Sequence, residues 1–66
     1  MNLELLNQAI KKSGKSKAYI AEKIGMTKGK LYMKCLGHSA WRVDEAKAIS
    51  AELNLSKKQS GEIFFG

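Results

Sequence analysis

Between Lys11 and Arg42 the 66-residue sequence sets nine basic side chains against one carboxylate, Glu22. The cations are Lys11, Lys12, Lys15, Lys17, Lys23, Lys28, Lys30, Lys34 and Arg42, so this stretch holds +8 where the whole chain holds +6. The segments on either side each come to −1. Cations at that density pair with phosphates, which is the electrostatic footprint of a polyanion binder. The competing reading is a lysine-rich solvated face that keeps a small domain soluble. Nucleophilic chemistry has one candidate pair, Cys35 and His38, three residues apart. A thiolate needs an orienting third group and a pocket as well as a base, and the sequence offers neither. Cys35 stands at helical spacing from Leu31 and reads as a core thiol. One cysteine and one histidine also fall short of the ligand sets of structural zinc. No enzymatic activity, metal, cofactor or small-molecule ligand is expected.

These residues must be positioned by little protein. Residues 1–66 make a single domain, and a chain this short buries only about 60% of its unfolded surface. Proline is absent and 44% of residues are apolar, which suits compact helices joined by short polar turns. A lone cysteine forms no internal disulfide and points to a reducing compartment. The N-terminus, "MNLELLNQAI", lacks a basic n-region and so is not a secretory signal. No apolar run approaches the roughly 18 residues that span a bilayer. A soluble, cytoplasmic protein is expected.

Hydrophobic spacing predicts five short helices. Leu3, Leu6 and Ile10, widened by Ala9, stripe a first helix over about 2–13, with Asn7, Lys11 and Lys12 facing out and Gly14 ending it. Ser16 caps a second, whose apolar face is Ala18, Ile20, Ala21 and Ile24. Ala21 is small enough to let another helix cross closely, and Gly25 permits the turn. Thr27 caps a third helix, about 27–36, with Leu31 and Cys35 inward and Gly37 closing it. Arg42 to Leu53 forms a fourth, with Ala46, Ile49 and Leu53 inside and Asp44 and Glu45 at its positive end. Ser56-Lys57-Lys58-Gln59 fits a capping box and opens a last helix ending in Ile63-Phe64-Phe65. Two helices joined by a three- or four-residue turn containing Gly25, over about 16–36, have the helix-turn-helix layout. Gly29 inside the third helix costs about 1 kcal/mol relative to alanine. Two readings of it stand: a tolerated defect near the helix start, or a backbone cleared to approach a groove edge.

The stretches "KAYIAEKIGMTKGKLYMK", "AWRVDEAKAISAELNLS" and "EIFF", with Gly37 between the first two, resemble the phage Cro and repressor family of Xre-like helix-turn-helix regulators. The order of Ala21, Gly25, Leu31 and Gly37 carries the likeness, which covers residues 3 to 65 and is nearest to small proteins of phages of Gram-positive bacteria. It implies an all-α, compact, five-helix lambda-repressor-like domain. Its third helix would enter the major groove of a palindromic double-stranded DNA operator in a bacterial host cell. One departure is Lys34, which stands three positions after Leu31 where the family has an apolar residue. Cys35 takes over the packing role in this reading.

Carried onto this chain, the resemblance implies base contacts from Thr27, Lys28, Gly29, Tyr32 and Met33. Lys28 suits guanine O6 and N7 or a phosphate equally well. Tyr32 and Met33 suit a thymine methyl, with partial core burial as the alternative. Phosphate contacts fall to Lys17, Lys30, Lys34, His38, Ser39 and Arg42, although His38 reads first as a solvated loop residue. Trp41 reads as a cover over the core rather than a sugar–phosphate contact. About six paired cations would give log K a slope of roughly −5 per monomer against log[salt]. A two-fold homodimer on DNA is expected, with either Phe64 or Phe65 as its anchor or both buried. A single domain leans towards a Cro-like role. The rival is a protein-interaction module on the same fold, an antirepressor or antitoxin-like partner. RNA binding comes third, since no aromatic platform lies amid the lysines.

Overall fold

The computed structural model describes residues 1–65, and among them every regular element is helical. The order is α1 Leu3–Ser13, α2 Lys17–Lys23, α3 Lys28–Cys35, α4 Val43–Glu52 and α5 Lys57–Ser60, and Gly61–Phe65 continues α5 as a π-helical turn. Four of the five helix starts are capped by the side chain of the N-cap residue, and at α4 the Glu45 carboxylate instead accepts the Arg42 N–H at 2.9 Å. Asn2, Ser16, Thr27 and Ser56 accept the exposed N–H groups of Leu5, Tyr19, Lys30 and Gln59 at 3.1–3.2 Å. Gln59 returns the bond to the Ser56 N–H at 2.9 Å, completing the capping box.

Two glycines set the joints around α3. Gly25 has φ 73° and turns the chain from α2 to α3, and the Met26 N–H then reaches back to the Ala21 carbonyl at 2.8 Å. Gly37 has φ 86°, and a β-carbon there would stand 2.9 Å from Leu3 Cδ1. The left-handed backbone favours glycine at that point, and a β-carbon would in addition require the Leu3 side chain to shift.

Leu6, Ile10, Ile20, Ala21, Leu31, Cys35, Ile49 and Ile63 form one core shared by α1 to α4 and the π-helical turn. Met26 and Ile24 pack on it in the angle between α2 and α3, and Leu53 and Leu55 close it below α4. Ala46 is buried on α4 and Leu53 only half-buried. Ala18, expected on the inner face of α2, is exposed. It lies a half-turn off the Ile20–Ile24 stripe, and α2 is too short to need it. The chain ends meet: the Asn2 N–H donates to the Ile63 carbonyl at 2.7 Å.

Polar side chains tie the elements where the core is thin. Asn7, expected to face out, is half-buried, and its amide donates to the Leu3 and Cys35 carbonyls at 2.9 and 3.2 Å. It thus joins α1 to the last turn of α3. Lys15 donates to the Glu52 carbonyl and carboxylate at 2.7 and 2.8 Å, anchoring the α1–α2 loop to the C-terminus of α4. That cation supports the negative end of the helix dipole.

Candidate nucleic-acid interface

The candidate interface is the outer side of α3 with its neighbours. Leu31, Lys34 and Cys35 turn inward, so the helix is held along one side by α1, α2 and α4. Thr27, Lys28, Gly29, Tyr32 and Met33 all lie exposed on the other side. That is the full set named as base contacts, and Tyr32 and Met33 are therefore surface side chains. The space around Gly29 is open, so nothing in the protein excludes a methyl group there.

The Tyr32 ring is flanked by two cations. Lys17 Nζ lies 5.3 Å and Lys28 Nζ 5.8 Å from its centroid. The ring quadrupole attracts both ammonium groups, linking the start of α2 to the start of α3 as a basic pair astride an aromatic. A second arrangement of the same kind surrounds Tyr19, with Lys23 at 5.3 Å and Lys15 at 6.0 Å. Tyr19 is not among the residues expected at the interface. Its signal was available in the i, i+4, i+8 spacing of Lys15, Tyr19 and Lys23.

Lys34 is the main correction to the phosphate set. It is 3% exposed, and its ammonium donates to the Ala40 carbonyl and pairs with Glu45 Oε1 at 2.9 Å. It also lies 5.8 Å from the Trp41 ring centroid. The inward register of α3 is set by Leu31 and Cys35, and position 34 lies about 60° from Leu31 on the side away from Cys35, at the edge of the same face. A lysine there is tolerable because its charge is fully partnered, as a buried cation must be. Lys34 is a strut between α3 and α4, and its ammonium is turned away from any polyanion. Cys35 packs in the core cluster, as expected, and Lys34 is buried beside it without joining that cluster.

Glu45 takes more than one partner. The Arg42 N–H donates to Oε1 at 2.9 Å, and Lys30 Nζ lies 3.7 Å from Oε2. Burial pushes the Glu45 carboxyl up, but the hydrogen bonds from Lys34 and Arg42 and the charges of Lys34 and Lys30 outweigh it. They hold the group below the ordinary carboxylate range. Neither Glu45 nor Trp41 was assigned to this network beforehand.

The remaining phosphate candidates stay at the surface. Lys30, His38, Ser39 and Arg42 are exposed and Lys17 is half-buried. Arg42 Nε lies 3.6 Å from Asp44 with both side chains well exposed, a contact of little energetic weight. Lys11, Lys12, Lys17, Lys23 and Lys28 have no ion-pair partner among the described residues. Trp41 is half-buried, packs edge-on against Phe64 at 5.4 Å between centroids, and covers the core as expected. Its indole N–H is buried with no acceptor among the described residues.

Cys35 and His38 lie in different surroundings. The thiol is buried inside the α3 packing while His38 is exposed in the following loop. Burial pushes the thiol above its ordinary value, against a smaller opposing effect of Lys17. A protonated, enclosed thiol is a weak nucleophile. No three His, Cys, Asp or Glu side chains cluster closely enough to hold a metal among the described residues. No described helix is long and apolar enough to cross a membrane.

On the far side, an apolar groove of about 410 Å³ runs between α4 and α5. Ala46, Ala51, Leu55 and Phe64 supply its apolar surface, and Lys47 and Lys57 also line it. Phe65 stands beside it 71% exposed, with Val43 and Met1 also exposed nearby. In comparisons with known proteins, no family model, curated protein or solved structure matches this chain.

Proposed function

We propose that this protein is a sequence-specific double-stranded DNA-binding protein, a Cro-like transcriptional repressor that reads a palindromic operator with α3 in the major groove. One observation carries the reading. A helix fixed on its inner side presents Thr27, Lys28, Gly29, Tyr32 and Met33 outward, flanked by lysines with no acidic partner among the described residues. Side chains that reach base edges must be held in register by a packed backbone, and cations around them supply the phosphate term. Lys17 and Lys28 provide that term at the groove margin, and Arg42 and Ser39 at the α3–α4 loop. Binding of this kind needs no cofactor and no catalytic group, and it would take place in the cytoplasm at the bacterial nucleoid.

A single α3 spans few base pairs, so the active species is a two-fold dimer with half-sites one helical turn apart. Phe65 is its anchor; Phe64 is engaged with Trp41. The same exposed apolar face favours a second reading, in which the chain docks on another protein in an antirepressor or antitoxin-like role.

Selection from random duplex DNA at about physiological salt, with excess competitor, separates them. Enrichment of a dyad-symmetric site with half-sites centred about 10 base pairs apart supports the repressor reading. Recovery of no duplex at all transfers the weight to the protein-partner reading.

A further inference from the structure

Lys30 and Lys34 are one turn apart on α3, and both reach the same carboxylate. Glu45 cannot follow Lys30 outward. Its Oε1 is fixed by Lys34 at 2.9 Å and by the Arg42 N–H at 2.9 Å, and its side chain is only 12% exposed. Oε2 is left facing Lys30 Nζ at 3.7 Å, while the Lys30 side chain is 57% exposed. A phosphate approaching Lys30 therefore meets a cation that already has an anchored anion beside it. A contact from Lys30 to a nucleic-acid backbone either shares the ammonium with that anion or first draws the exposed lysine side chain away from it.

We propose that Glu45 is a built-in counter-ion that withholds Lys30 from sequence-independent contacts with a polyanion backbone, with Lys34 as the strut that keeps it in place. The proposal rests on the DNA-binding reading for its biological meaning. The geometry gives a reason for a lysine at position 34. An apolar residue there would pack as well, but Glu45 would lose its fixed orientation and Lys30 would be less constrained. Base-edge contacts from Lys28, Tyr32 and Met33 are made only on an operator, whereas backbone contacts are made on any duplex. A cation removed from the second group lowers the hold of bulk DNA on the protein and leaves the first group intact.

The test uses the full chain and the paired variant Lys34→Met/Glu45→Gln. One positive and one negative charge are lost together, so net charge is unchanged. The apolar Met fills the buried site, which replaces a buried ion pair without stranding a charge. Thermal melting checks that the variant folds. Affinity for a duplex of random sequence is then measured from low to moderate salt. Each added phosphate contact steepens the slope of log K against log[salt] by about 0.9. The variant is expected to be steeper than the native chain by about one such step and to bind several-fold tighter at about 0.1 M salt. Adding Lys30→Met to the paired variant should return the slope to the native value, while Lys30→Met in the native chain should change it little. An unchanged slope in the paired variant, or a steeper one that Lys30→Met fails to reverse, overturns the proposal. Elution from a heparin column gives a readout independent of DNA: the paired variant should need more salt than the native chain, and equal elution also overturns it. If the native chain binds no duplex, the DNA-binding reading fails, and the heparin comparison still decides whether Glu45 withholds Lys30.

Discussion

Lys34 and Glu45 make a partnered buried charge, and removing either side has an asymmetric cost. Lys34→Ala leaves a carboxylate that keeps only the Arg42 N–H and a distant Lys30. Breaking a buried pair from one side costs about 3 kcal/mol at the low end of the usual range, and the solvent access that remains to Glu45 favours that end. Urea denaturation should show the loss as a lower midpoint with an unchanged slope; a loss under about 1 kcal/mol would mean that the ammonium is not held as described. The same pair sets an acid limit. The Glu45 carboxyl is lowered from its ordinary 4.5 in the folded protein, so the unfolded chain takes up a proton first as pH falls. Its stabilisation is therefore fully present above about pH 4.5 and disappears as pH drops through the lowered folded value. Melting curves should be flat from pH 7 to 5 as far as this group is concerned, then fall, and the fall should be shallower in Lys34→Met/Glu45→Gln.

Elements respond to different physics from residues, as α3 illustrates. Gly29 faces open space on a helix one residue longer than two turns, and no contact in the protein requires it. Gly29→Ala should raise stability by about 0.5–1 kcal/mol, chiefly by reducing the freedom of the unfolded chain. If the α3 backbone approaches a groove edge at this point, the same change should weaken operator binding. Stability and affinity moving in opposite directions in paired melting and binding assays is the expected result; a more stable variant with unaltered affinity would make Gly29 a tolerated defect. The boundaries of α3 and its neighbours were legible in the sequence because capping is local. Ser16, Thr27 and Ser56 each act on an N–H three residues away, and Gly25 and Gly37 mark their turns alone. The inward lysine was not legible, because Glu45 lies eleven positions further on, across a loop. A lysine at position 34 reads by default as solvated. Asn7 was hidden in the same way, since its partner, the Cys35 carbonyl, is 28 residues distant. The π-helical turn at Gly61–Phe65 shares its apolar pattern with an ordinary last helix and differs only in how the backbone closes.

At the scale of the molecule, the proposed DNA face and the proposed dimer face differ in their balance of charge and apolar surface. Lysines without an ion-pair partner among the described residues surround the α2–α3 face, while Phe65, Val43 and the α4–α5 groove offer apolar surface on α4, α5 and the π-helical turn, with Arg42, Lys47 and Lys57 at its margin. A dimer that reads two half-sites would join its subunits through a surface other than the one on DNA, and the Phe65 face meets that requirement in the proposed assembly. An isologous contact there buries Phe65 twice. Burying a phenylalanine contributes about 1.5 kcal/mol at the low end, so two contribute about 3 kcal/mol, or roughly a hundred-fold in the dimer constant. Phe65→Ser should therefore weaken self-association by that order in sedimentation. The monomer's melting temperature should hardly move, because Phe65 is 71% exposed and contributes little to the core. Binding to a full dyad site should lose its steep concentration dependence, while binding to an isolated half-site persists. Dimerisation unaffected by Phe65→Ser would leave the α4–α5 groove to a different protein, and half-site binding lost together with dimerisation would place Phe65 in the fold of the monomer after all.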